Sequence, residues 1–133
     1  MKGYVINIEE ATNENDNFRK VLYTAKNSQL VLMSLKPGQD IGEEVHHNLD
    51  QFFRFESGEG KVVIEGEESQ VKDGFAVVIP GGTKHNIINT SSDKPLNLYT
   101  IYSPPNHRDK VIHATKDEAE ADDEHFDGVT TEQ

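Results

Sequence analysis

The strongest constraint on this chain is its punctuation. Short apolar runs are interrupted by turn-forming residues at intervals of roughly eight to twelve residues, the spacing of a many-stranded sandwich or barrel. Extended runs are predicted at 18–24, 30–36, 51–56, 61–65, 69–72, 75–79, 84–89 and 96–102. Pro37-Gly38, the stretch 57–60, the stretch 66–68, Asp73-Gly74, the stretch 80–82 and Pro104-Pro105 break them. Asp73-Gly74 has the chemistry of a two-residue hairpin turn. The run 75–79 is continuously apolar, which predicts a strand buried on both faces. At the N-terminus, 4–8 reads as a further strand and the polar 9–17 as a loop. No long helix is predicted.

Two of these stretches concentrate metal-binding atoms. Residues 37–60 carry Glu44, His46 and Gln51, and residues 74–89 carry His85. On a strand, side chains two apart share a face. Glu44 and His46 therefore point together, Gln51 shares its face with Phe53 and Phe55, and His85 shares its face with Ile87 and Asn89. If the three faces line one cavity, a carboxylate, two imidazoles and an amide oxygen converge. Two His and one carboxylate with open positions form a known non-haem metal arrangement, and the amide oxygen supplies a fourth donor. Each residue also has an ordinary role to set against this one. A lone strand histidine is more often packed or exposed than ligating. Gln51 fits a hydrogen-bonded core amide, and Glu44 fits a solvated acid beside Glu43.

The two stretches resemble the paired motifs of the cupin superfamily. The second motif, G-x5-P-x-G-x2-H-x3-N, is matched in full by Gly74, Pro80, Gly82, His85 and Asn89. The first, G-x5-H-x-H-x4-E-x6-G, runs from Gly38 to Gly58. Glu44 stands at its first His position, His46 at its second, and Gln51 at its Glu position. The resemblance implies an all-β fold, a cupin jelly-roll β-barrel over 1–113; the remainder, 114–133, reads from its composition as a short polar acidic tail, helical or disordered. It implies Glu44, His46, Gln51 and His85 as the metal ligands. The distance from Gly38 selects His46 over the adjacent His47, which then faces outward. The chain looks most similar to small single-domain cupins like the mannose-6-phosphate isomerases. Cupins are commonly dimers, so a homodimer is expected, with the strand at 4–8 as its contact.

Composition narrows the class further. The chain has 133 residues, the size of about one domain. It has no cysteine, so any metal must take nitrogen and oxygen ligands. The net charge is −11, with eight of the 24 acids from Asp117 onward and no Lys or Arg there. The first 116 residues then hold 16 acids and all 13 bases. There is no basic footprint for nucleic acid, and the tail repels anionic membranes. No apolar run reaches membrane-spanning length and no signal-peptide pattern opens the chain, so a cytoplasmic protein is the expectation. Phe126 is the large apolar residue placed to pin the tail to the barrel.

One carboxylate, two neutral imidazoles and an amide leave a divalent ion with net positive charge. Such an ion is a Lewis acid suited to anionic or chelating ligands. Mn, Fe, Ni and Zn fit the donor set, and two imidazoles disfavour Mg and Ca. The functional reading is metal-assisted chemistry on a small sugar or sugar-acid, isomerase-like. The rivals are a metal-dependent dioxygenase and a non-catalytic binding module for small ligands. The sequence does not name a general base.

Overall fold

Alternation decides which residues build the interior. In β2 (Gln29–Leu35), Gln29, Val31, Met33 and Leu35 are each at most 1% exposed. In β8 (Leu96–Ser103), Leu96, Leu98, Thr100 and Tyr102 face the same way, and in β3 (Asp50–Ser57) Gln51, Phe53 and Phe55 do so. Burying each large apolar side chain contributes about 1.5–3 kcal/mol, and these rows supply most of the core.

The structure, a computed structural model, describes residues 1–132. Among the described residues, nine strands form two antiparallel sheets in a cupin jelly roll. β1 (Arg19–Thr24), β6 (Ala76–Ile79) and β9 (Ile112–His113) complete a six-stranded sheet in the order β6-β3-β8-β2-β1-β9. β4 (Glu59–Ile64), β5 (Glu67–Lys72) and β7 (His85–Asn89) form the second sheet in the order β5-β4-β7. Val62, Val71 and Ile87 meet the phenylalanines and leucines of the larger sheet.

Four expectations are corrected. Residues 4–8 form no strand, and the stretch expected to be a loop holds α1 (Ile8–Glu14). Asn7 caps that helix, its Oδ1 accepting from the Glu10 N–H at 3.1 Å. Asn7 and Glu10 stand at capping-box spacing, a signal present in the sequence. α1 lies against β2, β3 and β8, on the side where Leu32 is 2% exposed. The run 75–79 is not buried on both faces. β6 is an edge strand that alternates, with Val77 and Ile79 inside and Val78 66% exposed. Its apolar outer residues had suggested a central strand. Asp73-Gly74 does turn the chain, with the Phe75 N–H donating to the Lys72 carbonyl. The turn joins β5 to β6 in different sheets, so it is no hairpin.

After β8 the chain passes back over the barrel. α2 (Lys116–Ala121) starts at Thr115, whose Oγ1 accepts from the Glu118 N–H at 3.1 Å. Lys116 Nζ reaches Asp40 Oδ1 at 2.6 Å. The Phe126 N–H donates to the Asn106 carbonyl and the Thr131 N–H to the Thr24 carbonyl. The segment through 131 therefore lies along the barrel wall.

Candidate metal centre

The first motif stretch runs antiparallel beside β7. The Asn89 N–H donates to Gln39, the Ile41 N–H to Ile87, and Glu44 and His85 exchange both backbone hydrogen bonds. Gly82 N–H donates to the His46 carbonyl at 2.8 Å. Gly81 passes so close that a Cβ there would lie 3.0 Å from the Leu49 carbonyl oxygen. Gly81, Gly82 and Asn89 thus hold one stretch against the other. Asn89 also ties Leu35 and Lys94 through its amide.

This pairing brings three of the four candidate residues together. Ligating atoms of Glu44, His46 and His85 lie within 4.8 Å of one another. His46 Nε2 is 2.9 Å from Glu44 Oε2, and the rings of His46 and His85 are 5.8 Å apart. Glu44 and His46 are partly exposed, so the cluster opens to solvent, whereas His85 is buried. Gln51 enters from the larger sheet, directly opposite Tyr102 in the ladder, and the Tyr102 ring meets His46 edge-on at 6.0 Å. His47 is exposed.

The donor set fits a cation. His85 Nδ1–H donates to the Thr83 carbonyl at 2.9 Å, which leaves Nε2 as a bare acceptor, buried and without a hydrogen-bond partner. Gln51 Nε2 donates to Thr100 Oγ1 at 3.0 Å, and its Oε1 is likewise buried and unpartnered. An unpaired buried acceptor costs about 1–3 kcal/mol. Two of them on candidate ligands are what an ion would satisfy. Burial pushes the Glu44 carboxyl up, but the His46 hydrogen bond and the charges of His46, Arg19 and His85 outweigh it. The net direction is down, so Glu44 is held as the carboxylate.

The inner wall carries residues that sequence reasoning missed. Tyr102 O–H lies 3.2 Å from His107 Nε2, and His107 Nδ1 lies 2.7 Å from Glu124 Oε2. Glu124 also accepts from the Arg108 N–H at 2.7 Å. Gln29 Oε1 accepts from the Asn106 and His107 backbone N–H groups. Burial pushes the Tyr102 phenol up and the His107 imidazole down. Burial also opposes Glu124 ionisation, yet its bonds from His107 and Arg108 hold it at about 2. These directions agree on one arrangement. Tyr102 O–H donates to Nε2 of a neutral His107, whose Nδ1–H donates to ionised Glu124. No motif marks these residues, and no sequence spacing links Tyr102, His107 and Glu124.

Similarity to known proteins agrees with this fold. The Cupin_2 family model, described as a cupin domain, matches residues 31–102. YrkC of Bacillus subtilis (strain 168), an uncharacterized protein, is 47% identical over 126 residues, covering 90% of this chain and 67% of YrkC. The uncharacterized protein L612 of Acanthamoeba polyphaga mimivirus is 45% identical over 108 residues, covering 78% of this chain and 67% of L612. The chain spans about two thirds of each relative's length. The crystal structure of BH2720 from Bacillus halodurans superposes with a TM-score of 0.89 at 42% identity, covering 91% of this chain and 96% of that one.

Proposed function

The chain belongs to the cupin family, and on that footing we propose that it holds one divalent metal ion in its barrel and acts on a small sugar or sugar-acid, in the manner of an isomerase. Glu44, His46 and His85 would hold the ion, with Gln51 as fourth donor. A bound ion would polarise a ligand's oxygens as a Lewis acid. The observation that carries the reading is the pair of buried, unpartnered acceptors, His85 Nε2 and Gln51 Oε1, beside an ionised Glu44. Mn, Fe, Ni and Zn suit these donors. Tyr102 and Phe53, whose rings flank the histidines, would bound the ligand and keep it small.

The test begins with elemental analysis of untagged protein purified without added metal. About one ion per chain is expected, and none in His85→Ala. Loaded protein is then incubated with aldoses and their acids in deuterated water, with proton exchange at the carbon beside the carbonyl as the readout. Ion uptake with oxygen consumption and no exchange would replace the isomerase with an oxygenase.

The proposal includes a homodimer in the cytoplasm. Its support is the open β6 edge, where Phe75 is 43% and Val78 66% exposed. Sedimentation of wild type against Val78→Lys tests the dimer.

A further inference from the structure

We infer that Arg19 is a carboxylate-binding residue, so that the ligand of this site is a small organic acid and not a neutral sugar; this rests on the metal-centre reading above.

Arg19 is the first residue of β1, opposite Met33 in the ladder, and it is 8% exposed. Arginines this buried are normally paired with an acid, because an unpaired charge in the interior is costly. Among the described residues, Arg19 has no carboxylate within ion-pair distance. Its neighbours are otherwise accounted for. Nη1 is 3.3 Å from His113 Nδ1, and the guanidinium carbon sits 5.4 Å over the Phe18 ring. His113 Nε2 is in turn 2.9 Å from Asp122 Oδ2. Asp122 thereby fixes the tautomer, with Nε2–H donating to it and Nδ1 accepting from Arg19. The guanidinium is aimed by a neutral ring, and Asp122 spends its charge on His113. Nε is buried with no partner at all.

The Nε edge of the fork is therefore unpartnered, and Arg19 shares the inward face of β1 with Val21, opposite the buried Met33. The Arg19 charge acts on Glu44, Tyr102, His107 and Glu124, none of them a carboxylate within ion-pair distance of it. With a divalent ion on Glu44, the ion and Arg19 would bring three positive charges against the two carboxylates of Glu44 and Glu124, leaving the site net positive. Such a site favours a ligand that chelates the ion with one end and offers a carboxylate to Arg19 with the other. A planar fork suits a carboxylate in a way a lysine would not.

The test compares acids with their neutral amides: lactate with lactamide, and glucuronate with glucuronamide. Binding to Mn²⁺-loaded protein is followed by calorimetry. Wild type is expected to prefer each acid by about tenfold or more. Arg19→Gln is expected to lose that preference while keeping its ion content and near-ultraviolet circular dichroism. Arg19→Lys, which keeps charge and size, is expected to fall between, and it carries the test if Arg19→Gln does not fold. Equal binding of acid and amide by wild type overturns the inference, as does a preference that survives Arg19→Gln. An Arg19→Lys protein equal to wild type overturns the role of the guanidinium fork. If wild type takes up no ion, the metal reading fails separately. Arg19 is then judged on ion-free protein, where the acids must raise Tm above their amides in wild type and not in Arg19→Gln.

Discussion

Glu44 and His85 come from different motif stretches, yet they face each other as one β-bridge pair and exchange backbone hydrogen bonds of 2.9 and 3.0 Å. Directly opposed residues project their side chains to the same face. The carboxylate and the imidazole are therefore placed together by main-chain pairing, before any ion takes part. Side-chain substitutions at these positions should change the ligand set and leave the backbone as it is.

Gln51 stands where the first motif usually has a Glu. Gln51→Glu adds a second carboxylate to the donor set at nearly equal volume. Ion affinity is expected to rise by about tenfold, equivalent to about 1.4 kcal/mol. Glu44→Gln should lower it by at least as much. Competition with a fluorescent chelator measures both; unchanged affinity in Gln51→Glu would place Gln51 outside the ligand set.

Acid should destabilise the fold in two stages. Burial lowers the His107 value in the fold, so its contribution is full above the ordinary 6.5 and is lost as pH falls through the lowered value. Glu124 falls from an ordinary 4.5 to about 2, so its contribution is full above 4.5 and is lost as pH drops toward 2. Glu124→Gln is expected to lower Tm at pH 7 and to flatten the loss between about pH 4.5 and 2. A variant whose Tm parallels wild type across that window would contradict the assignment.

Phe55 is fully buried between the sheets. Phe55→Ala is expected to cost about 3–5 kcal/mol by urea unfolding, from lost burial and the cavity left behind. Phe75→Ala, at an exposed site on the sheet edge, should cost far less.

Gly60 in β4 has no room for a side chain. A Cβ there would lie 2.5 Å from the Ile88 carbonyl oxygen and 2.8 Å from Leu96 Cδ2. Gly60→Ala is expected to destabilise by about 1–3 kcal/mol through overpacking. Gly66, in a turn with open space around it, has a positive φ of 82°, so its substitution is strained in the backbone and not in packing.

Much of the barrel was legible because strand parity and turn chemistry are local signals. Phe53, Phe55 and Ile87 face inward as alternation demands. The grouping of Glu44, His46 and His85 followed from the same parity and from motif spacing. Most of what escaped had no local signature. β9 is two residues long and forms only because β1 offers it an edge. The Tyr102–His107–Glu124 chain and the Arg19–His113–Asp122 chain join residues far apart in sequence, and no spacing rule connects them. The helix at 8–14 was passed over because its polar composition outweighed the Asn7–Glu10 cap. The run 75–79 misled because an edge strand exposing Val78 reads, in sequence, like a central one.

The acids near the end of the chain are wired to the inside of the barrel. Asp122 and Glu124 each hold one imidazole; one ring orients the buried Arg19 guanidinium and the other the Tyr102 phenol beside His46. Trimming the protein after Ala121 to obtain a tidier sample would thus reach well past its surface. It would let two interior rings turn freely, and discrimination between ligands would degrade while the sheets stayed assembled.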